Sequence, residues 1–119
     1  MLLNLSNHPS AKWSDDQLAA AQAAYGALQD MAFPVVDPHW TRDQIDLLAE
    51  NYLGEILRLA PCPAAVHLMG ELTFTFALAR KLEAAGIPCV ASTSERQVVD
   101  LGEGRKEAQF RFVRFRPYF

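Results

Sequence analysis

Polar side chains with chemistry to offer gather in three short stretches of this 119-residue chain. The first is Ser6-Asn7-His8-Pro9-Ser10, the second Gly70-Glu71 with Thr73, and the third Ser92-Thr93-Ser94-Glu95-Arg96. His8 has the titration range for proton transfer or phosphate contact, although an exposed loop histidine has the same appearance. Glu71 at a helix start serves either a ligand or simply the helix dipole. Ser92, Thr93 and Ser94 are poor core residues, yet consecutive hydroxyls also cap turns. Arg96 offers a planar fork of donors to phosphate, or a surface partner to Glu95. Ser6, Asn7 and Ser10 read equally as ordinary turn residues.

Other residues carry less. His67 lies inside the apolar run Ala64–Met69 and reads as a buried histidine with its hydrogen bonds satisfied. His39, between Pro38 and Trp40, reads as a loop residue. Cys62 and Cys89 fall in no metal-ligand spacing, and each reads as a small buried hydrophobe with a reduced thiol. Arg111, Arg114 and Arg116 interleave with Phe110, Phe112 and Phe115. That pattern suits single-stranded nucleic acid, but a half-buried edge strand produces it more simply. A P-loop, a GxGxxG turn after the first strand, HExxH and a nucleophile elbow are all missing. No cofactor or metal is called for.

The elements that must position these residues follow from pattern. Leu2–Leu5 reads as an opening strand. Ser14-Asp15-Asp16-Gln17 has capping-box spacing and opens a helix to about Gln29, with Leu18, Ala21, Tyr25 and Leu28 on one face. Met31–Val36 is the expected second strand. Thr41-Arg42-Asp43-Gln44 opens a second helix, and Ala64–Met69 is the third strand. Leu72–Ala85 is a third helix, stopped by Gly86 and Pro88. Cys89–Ala91 is the fourth strand. Gln97–Leu101 and Lys106–Arg116 flank Gly102-Glu103-Gly104 as a hairpin. The alternation predicts one α/β domain over residues 1–119, a mainly parallel sheet with helices on both faces and a C-terminal β-hairpin. Ligands of such sheets bind beyond the carboxyl ends of the strands, where the three polar stretches fall, and helix N-termini there suit phosphate.

Composition narrows the partners. No apolar run is long enough to span a bilayer, and the polar residues after Met1-Leu2-Leu3 are unlike a signal peptide. With reduced cysteines, this predicts a cytoplasmic chain. The net charge is −3, but residues 105–116 carry five basic side chains against one acid, leaving −7 for the remainder. So uneven and acidic a chain is not expected to track duplex DNA, whereas a small anionic ligand or an acidic partner fits.

The opening Leu-Leu-Asn-Leu-Ser-Asn-His, the Gly-Glu helix start and the Ser-Thr-Ser-Glu-Arg strand end together resemble the small stand-alone CARF proteins. These are CRISPR-associated Rossmann-fold sensors of cyclic oligoadenylate, some of them ring nucleases that degrade it. The resemblance implies a Rossmann-like three-layer sandwich, a homodimer with the ring across its two-fold axis, and an antiviral-defence role. It implies metal-independent cleavage, in which a ribose 2′-hydroxyl attacks the adjacent phosphate and leaves a 2′,3′-cyclic phosphate. Ser6, Asn7 and Ser10 would then contact ribose or phosphate. Gly70 and Thr73 would hold a phosphate, and Thr93, Ser94 and Arg96 would close the site. His8 or Glu71 would handle the proton. The alternatives are a non-catalytic module that binds and sequesters or reports a nucleotide, and an interaction subunit that uses its arginine-rich final strand.

Overall fold

The computed structural model describes residues 1–119. Its elements are β1 (Leu2–Ser6), α1 (Asp15–Tyr25), β2 (Leu28–Asp30), α2 (Arg42–Leu57), β3 (Ala65–Met69), α3 (Leu72–Ala84), β4 (Cys89–Gly102) and β5 (Arg105–Pro117). They form one five-stranded sheet in the order β2-β1-β3-β4-β5. The first four strands run parallel, and β4 and β5 form an antiparallel hairpin. The fold is therefore mixed α/β, mostly parallel and closed by the hairpin.

Side-chain alternation divides the core into two clusters. Leu3, Leu5, Val66 and Leu68 pack with Ile45, Ala49 and Ile56 of α2 and Phe74, Leu78 and Leu82 of α3. Leu2, Ala65 and Val90, of the opposite parity, pack with Ala21 of α1 and with Trp13 just before it. Because β1 is buried on both sides, all five of its residues are inaccessible, which explains its run of leucines.

The helices begin where their caps dictate. The Ser14 hydroxyl accepts from the Gln17 N–H, and Thr41 and Gln44 form the reciprocal capping box. The first helix ends at Tyr25 rather than near Gln29, because Gly26 turns the chain with φ 79°. That early stop moves the second strand back to Leu28–Asp30, which pairs with Leu2–Asn4. Met31 to Val36, expected as the strand, is not one. Met31, Phe33 and Val36 instead pack against the α2–α3 core, and Pro34 has no N–H for a ladder. Their apolarity covers the core rather than extending the sheet.

Cys62 is exposed, contrary to expectation, because it lies in the turn before β3 and not on the strand. Cys89, the first residue of β4, is buried, and burial followed by repulsion from Glu83 pushes its thiol up to about 12.

The fourth strand does not stop at Ala91. It runs 14 residues, and β5 runs 13. Glu103 and Gly104 close the hairpin with φ of 54° and 75°, the conformation of a type I′ turn. The base of this arm packs on the body through Val90 and Phe115, and Arg111 reaches Asp16 of α1 at 3.8 Å. The distal Val98, Leu101 and Phe110 are exposed. The radius of gyration is accordingly 16.3 Å, against about 13–14 Å for a compact domain of this size.

Candidate functional site

The face that packs on α1 carries a row of polar groups buried at its centre, and alternation puts it there. Asn4 lies beside Asp30 in β2 and His67 in β3. Ser92 of β4 lies two residues beyond Val90, the register partner of His67. The row Asp30–Asn4–His67–Ser92 thus crosses four strands. Asn4 and His67 are each only 1% exposed, so every polar atom there needs a partner.

Hydrogen bonds fix the roles. The Asn4 Nδ2 group donates to Asp30 Oδ1 at 2.8 Å and to the His8 carbonyl at 2.9 Å. The amide oxygen therefore faces the other way and accepts from the Ser6 hydroxyl at 2.7 Å, with His67 Nδ1 at 2.9 Å. An amide oxygen only accepts, so Nδ1 of His67 carries the proton and Nε2 is bare. Ser92 Oγ lies 3.1 Å from that Nε2 and 3.2 Å from Met69 Sδ, the two acceptors within reach of its one proton. Trp13 closes the row from above, its ring 5.0 Å from the imidazole in edge contact, and its Nε1 donates to the His8 carbonyl. Burial, then repulsion from His8, lowers the His67 pKa from 6.5 to about 4. The ring is neutral at physiological pH.

At the other end, burial alone would raise the Asp30 carboxyl. Hydrogen bonds from the Ser10 hydroxyl, Asn4 and the Ser10 N–H outweigh it and hold the group below the ordinary carboxylate range. These bonds tie the loop after β1 to the tip of β2. The loop is also tied to β3, where the Asn7 N–H donates to the Met69 carbonyl.

Asp30 is exposed at one end of the row, and half-buried Ser92 borders a cleft at the other. Ser92 lines this cleft of about 270 Å³ with Lys12, Ser14, Thr93, Ser94, Phe110 and Phe112. The cleft joins one cation and several hydroxyls to two phenyl rings beside the first half of β4. A larger groove of about 790 Å³ runs between α2 and α3, lined by Leu72, Phe76 and the stems of Arg80 and Lys81. The row of polar groups borders the smaller cleft and not this groove.

The expected site residues are distributed as follows. Thr93 and Ser94 line the cleft. Ser6 and Ser10 belong to the row behind it, while the side chains of Asn7 and His8 are exposed in the loop. Gly70 lies under Phe33, whose ring an added Cβ would overlap. Glu71 caps α3 by accepting from the Thr73 and Phe74 N–H groups and from the Thr73 hydroxyl. The Thr73 hydroxyl bond, then the Phe74 N–H, hold its carboxyl below the ordinary range. Thr73 also borders the large groove. Arg96 lies out on the exposed arm opposite Phe110. No helix N-terminus follows β4, because the strand continues into the hairpin.

A family model matches residues 1–116, nearly the full length, and its description is "Uncharacterized protein MJ1673 family". The chain belongs to the MJ1673 family. No curated protein matches it in sequence.

In this MJ1673-family chain, sequence reasoning passed over Asn4, Asp30 and Lys12, and read the two phenylalanines of the cleft, Phe110 and Phe112, as edge-strand residues. A signal existed for Asn4. It is a polar residue flanked by leucines in β1, as His67 is flanked by Val66 and Leu68 in β3, and polar intruders in adjacent apolar strands can bond to each other.

Proposed function

We propose that this chain binds a small nucleotide, cyclic oligoadenylate, at the cleft beside Ser92 and cleaves it by attack of a ribose 2′-hydroxyl on the neighbouring phosphate. The observation that carries this reading is the composition of the cleft. Lys12 and the hydroxyls of Ser92, Thr93 and Ser94 suit a phosphodiester, and Phe110 and Phe112 offer faces for a base. A cleft of about 270 Å³ holds about one nucleotide. Two facing copies would seat two nucleotides of one ring at once, consistent with a homodimer. The two-sided packing of the sheet supports a Rossmann-like three-layer sandwich. The protein's tasks would be in-line alignment and stabilisation of developing charge.

A second reading, binding without cleavage, is favoured by one observation. Glu71 is engaged as a helix cap, and the His8 ring makes no hydrogen bond that would orient it as a base. Purified protein incubated with cyclic tetra-adenylate in EDTA separates the two. Linear products ending in a cyclic phosphate support cleavage, and tight binding with the ring recovered unchanged supports sequestration. Neither binding nor products with either ring size would end the nucleotide reading.

A further inference from the structure

A buried histidine wired to a surface hydroxyl has a use beyond holding strands together. His67 has no route to solvent of its own, being 1% exposed, and its bare Nε2 meets Ser92 Oγ at 3.1 Å. Its protonated Nδ1 is held by the Asn4 amide oxygen at 2.9 Å. Asn4 is itself held by Asp30, so it cannot rotate to offer its N–H₂ group instead. Serine, histidine and an amide that fixes the tautomer form the arrangement by which hydroxyl and thiol groups are activated in unrelated hydrolases. Here the serine faces a cleft that also holds Lys12.

We propose that Ser92 is a catalytic hydroxyl of this protein, activated by His67. In the step, the proton of a ligand hydroxyl passes to Ser92 Oγ as the Ser92 proton passes to His67 Nε2. The ligand oxygen then bonds to phosphorus, the bond from phosphorus to the leaving oxygen breaks, and that oxygen takes a proton from water. The imidazolium then returns its proton through Ser92 to the hydroxide that this leaves, restoring water and neutral His67. Only the identity of the ligand hydroxyl rests on the function proposed above. The activation of Ser92 does not.

That independence sets the test. A phosphonofluoridate probe requires the same proton transfer: a bond forms between Ser92 Oγ and phosphorus, the phosphorus–fluorine bond breaks, the proton passes to His67 and fluoride leaves. Mass spectrometry should find the probe on Ser92. Labelling should vanish in Ser92→Ala and slow at least tenfold in His67→Gln, with both variants shown to be folded by circular dichroism. The pH dependence in the unmutated protein carries the same test without a buried substitution. His8 in the adjoining loop, Asp30 behind Asn4 and Lys12 in the cleft are the ionisable groups around the row. With His67 neutral down to about 4, labelling should stay level on acidification and fall only toward that value. Absence of label at Ser92, equal rates in His67→Gln, or a fall centred near 6.5 would overturn the proposal. A labelled Ser92 in a protein that leaves cyclic oligoadenylate unbound and intact would instead remove the ligand reading and keep this one.

Discussion

The environment of His67 makes the stability of this fold depend on acid in a way that can be assigned to one residue. In the unfolded chain the ring titrates near 6.5, and in the folded chain burial and the nearby His8 bring that to about 4. Between those values the unfolded state binds the proton and the native state does not. Stability from His67 is therefore fully present above about pH 6.5, is lost as pH falls toward 4, and declines no further below it. Each tenfold difference in proton affinity is worth about 1.4 kcal/mol, so the loss comes to about 3 kcal/mol. In a domain of this size that is on the order of a 10 °C fall in Tm. Asp30 and Glu71, whose carboxyls are held low, also lose stability in acid, so the unmutated protein alone cannot isolate the effect. The comparison with His67→Gln does. The variant is less stable at neutral pH, and the difference between the two proteins should shrink by about 3 kcal/mol as the pH drops to 4. Urea titrations at several pH values measure it, and an NMR titration of the ring gives its pKa directly. A stability difference that stays constant with pH, or a ring that titrates near 6.5, would refute the buried, amide-held neutral histidine.

Other perturbations test neighbouring parts of the account. Thr75 Oγ1 is buried on α3 without a partner. Thr75→Val should therefore raise stability by about 1 kcal/mol in chemical denaturation. Gly70→Ala puts a methyl group against the Phe33 ring, so Tm should fall by an amount equivalent to about 1–3 kcal/mol, with partial recovery in Gly70→Ala/Phe33→Leu. Glu71→Ala removes the α3 cap and should lower stability by about 1 kcal/mol. Calorimetric titration should show its nucleotide affinity unchanged. Lys12→Ala should weaken nucleotide binding about tenfold, with a shallower dependence on salt than the unmutated protein shows.

The order of strands and helices was legible because each helix announces its cap. Ser14, Thr41 and Glu71 mark starts within a residue, and each buried strand is a short apolar run. The misplaced second strand shows the limit of pattern. Leu28 continues the apolar spacing of α1, so nothing local separates the last helical turn from a three-residue strand. Pairing with Leu2–Asn4 decides it, and that is a tertiary fact. The length of the hairpin was hidden for a similar reason. Arg96 and the residues around it face solvent on both sides, so they show no alternation, and the continuous ladder with β5 is what makes them strand. At the site, clusters of polar loop residues were visible, but the buried row was not. Asn4, His67 and Ser92 are 63 and 25 residues apart along the chain. They become one network only when β1, β3 and β4 align.

The most direct test of the central claim is product analysis of cyclic tetra-adenylate after incubation with the purified protein and with Ser92→Ala, in EDTA, alongside a binding isotherm for each. The account predicts linear di-adenylate ending in a 2′,3′-cyclic phosphate from the unmutated protein. Ser92→Ala should still bind the ring, held by Lys12, Thr93 and Ser94, and turn over at least tenfold more slowly. An unmutated protein that neither binds nor alters the ring would contradict it, as would a Ser92→Ala variant that cleaves at the full rate.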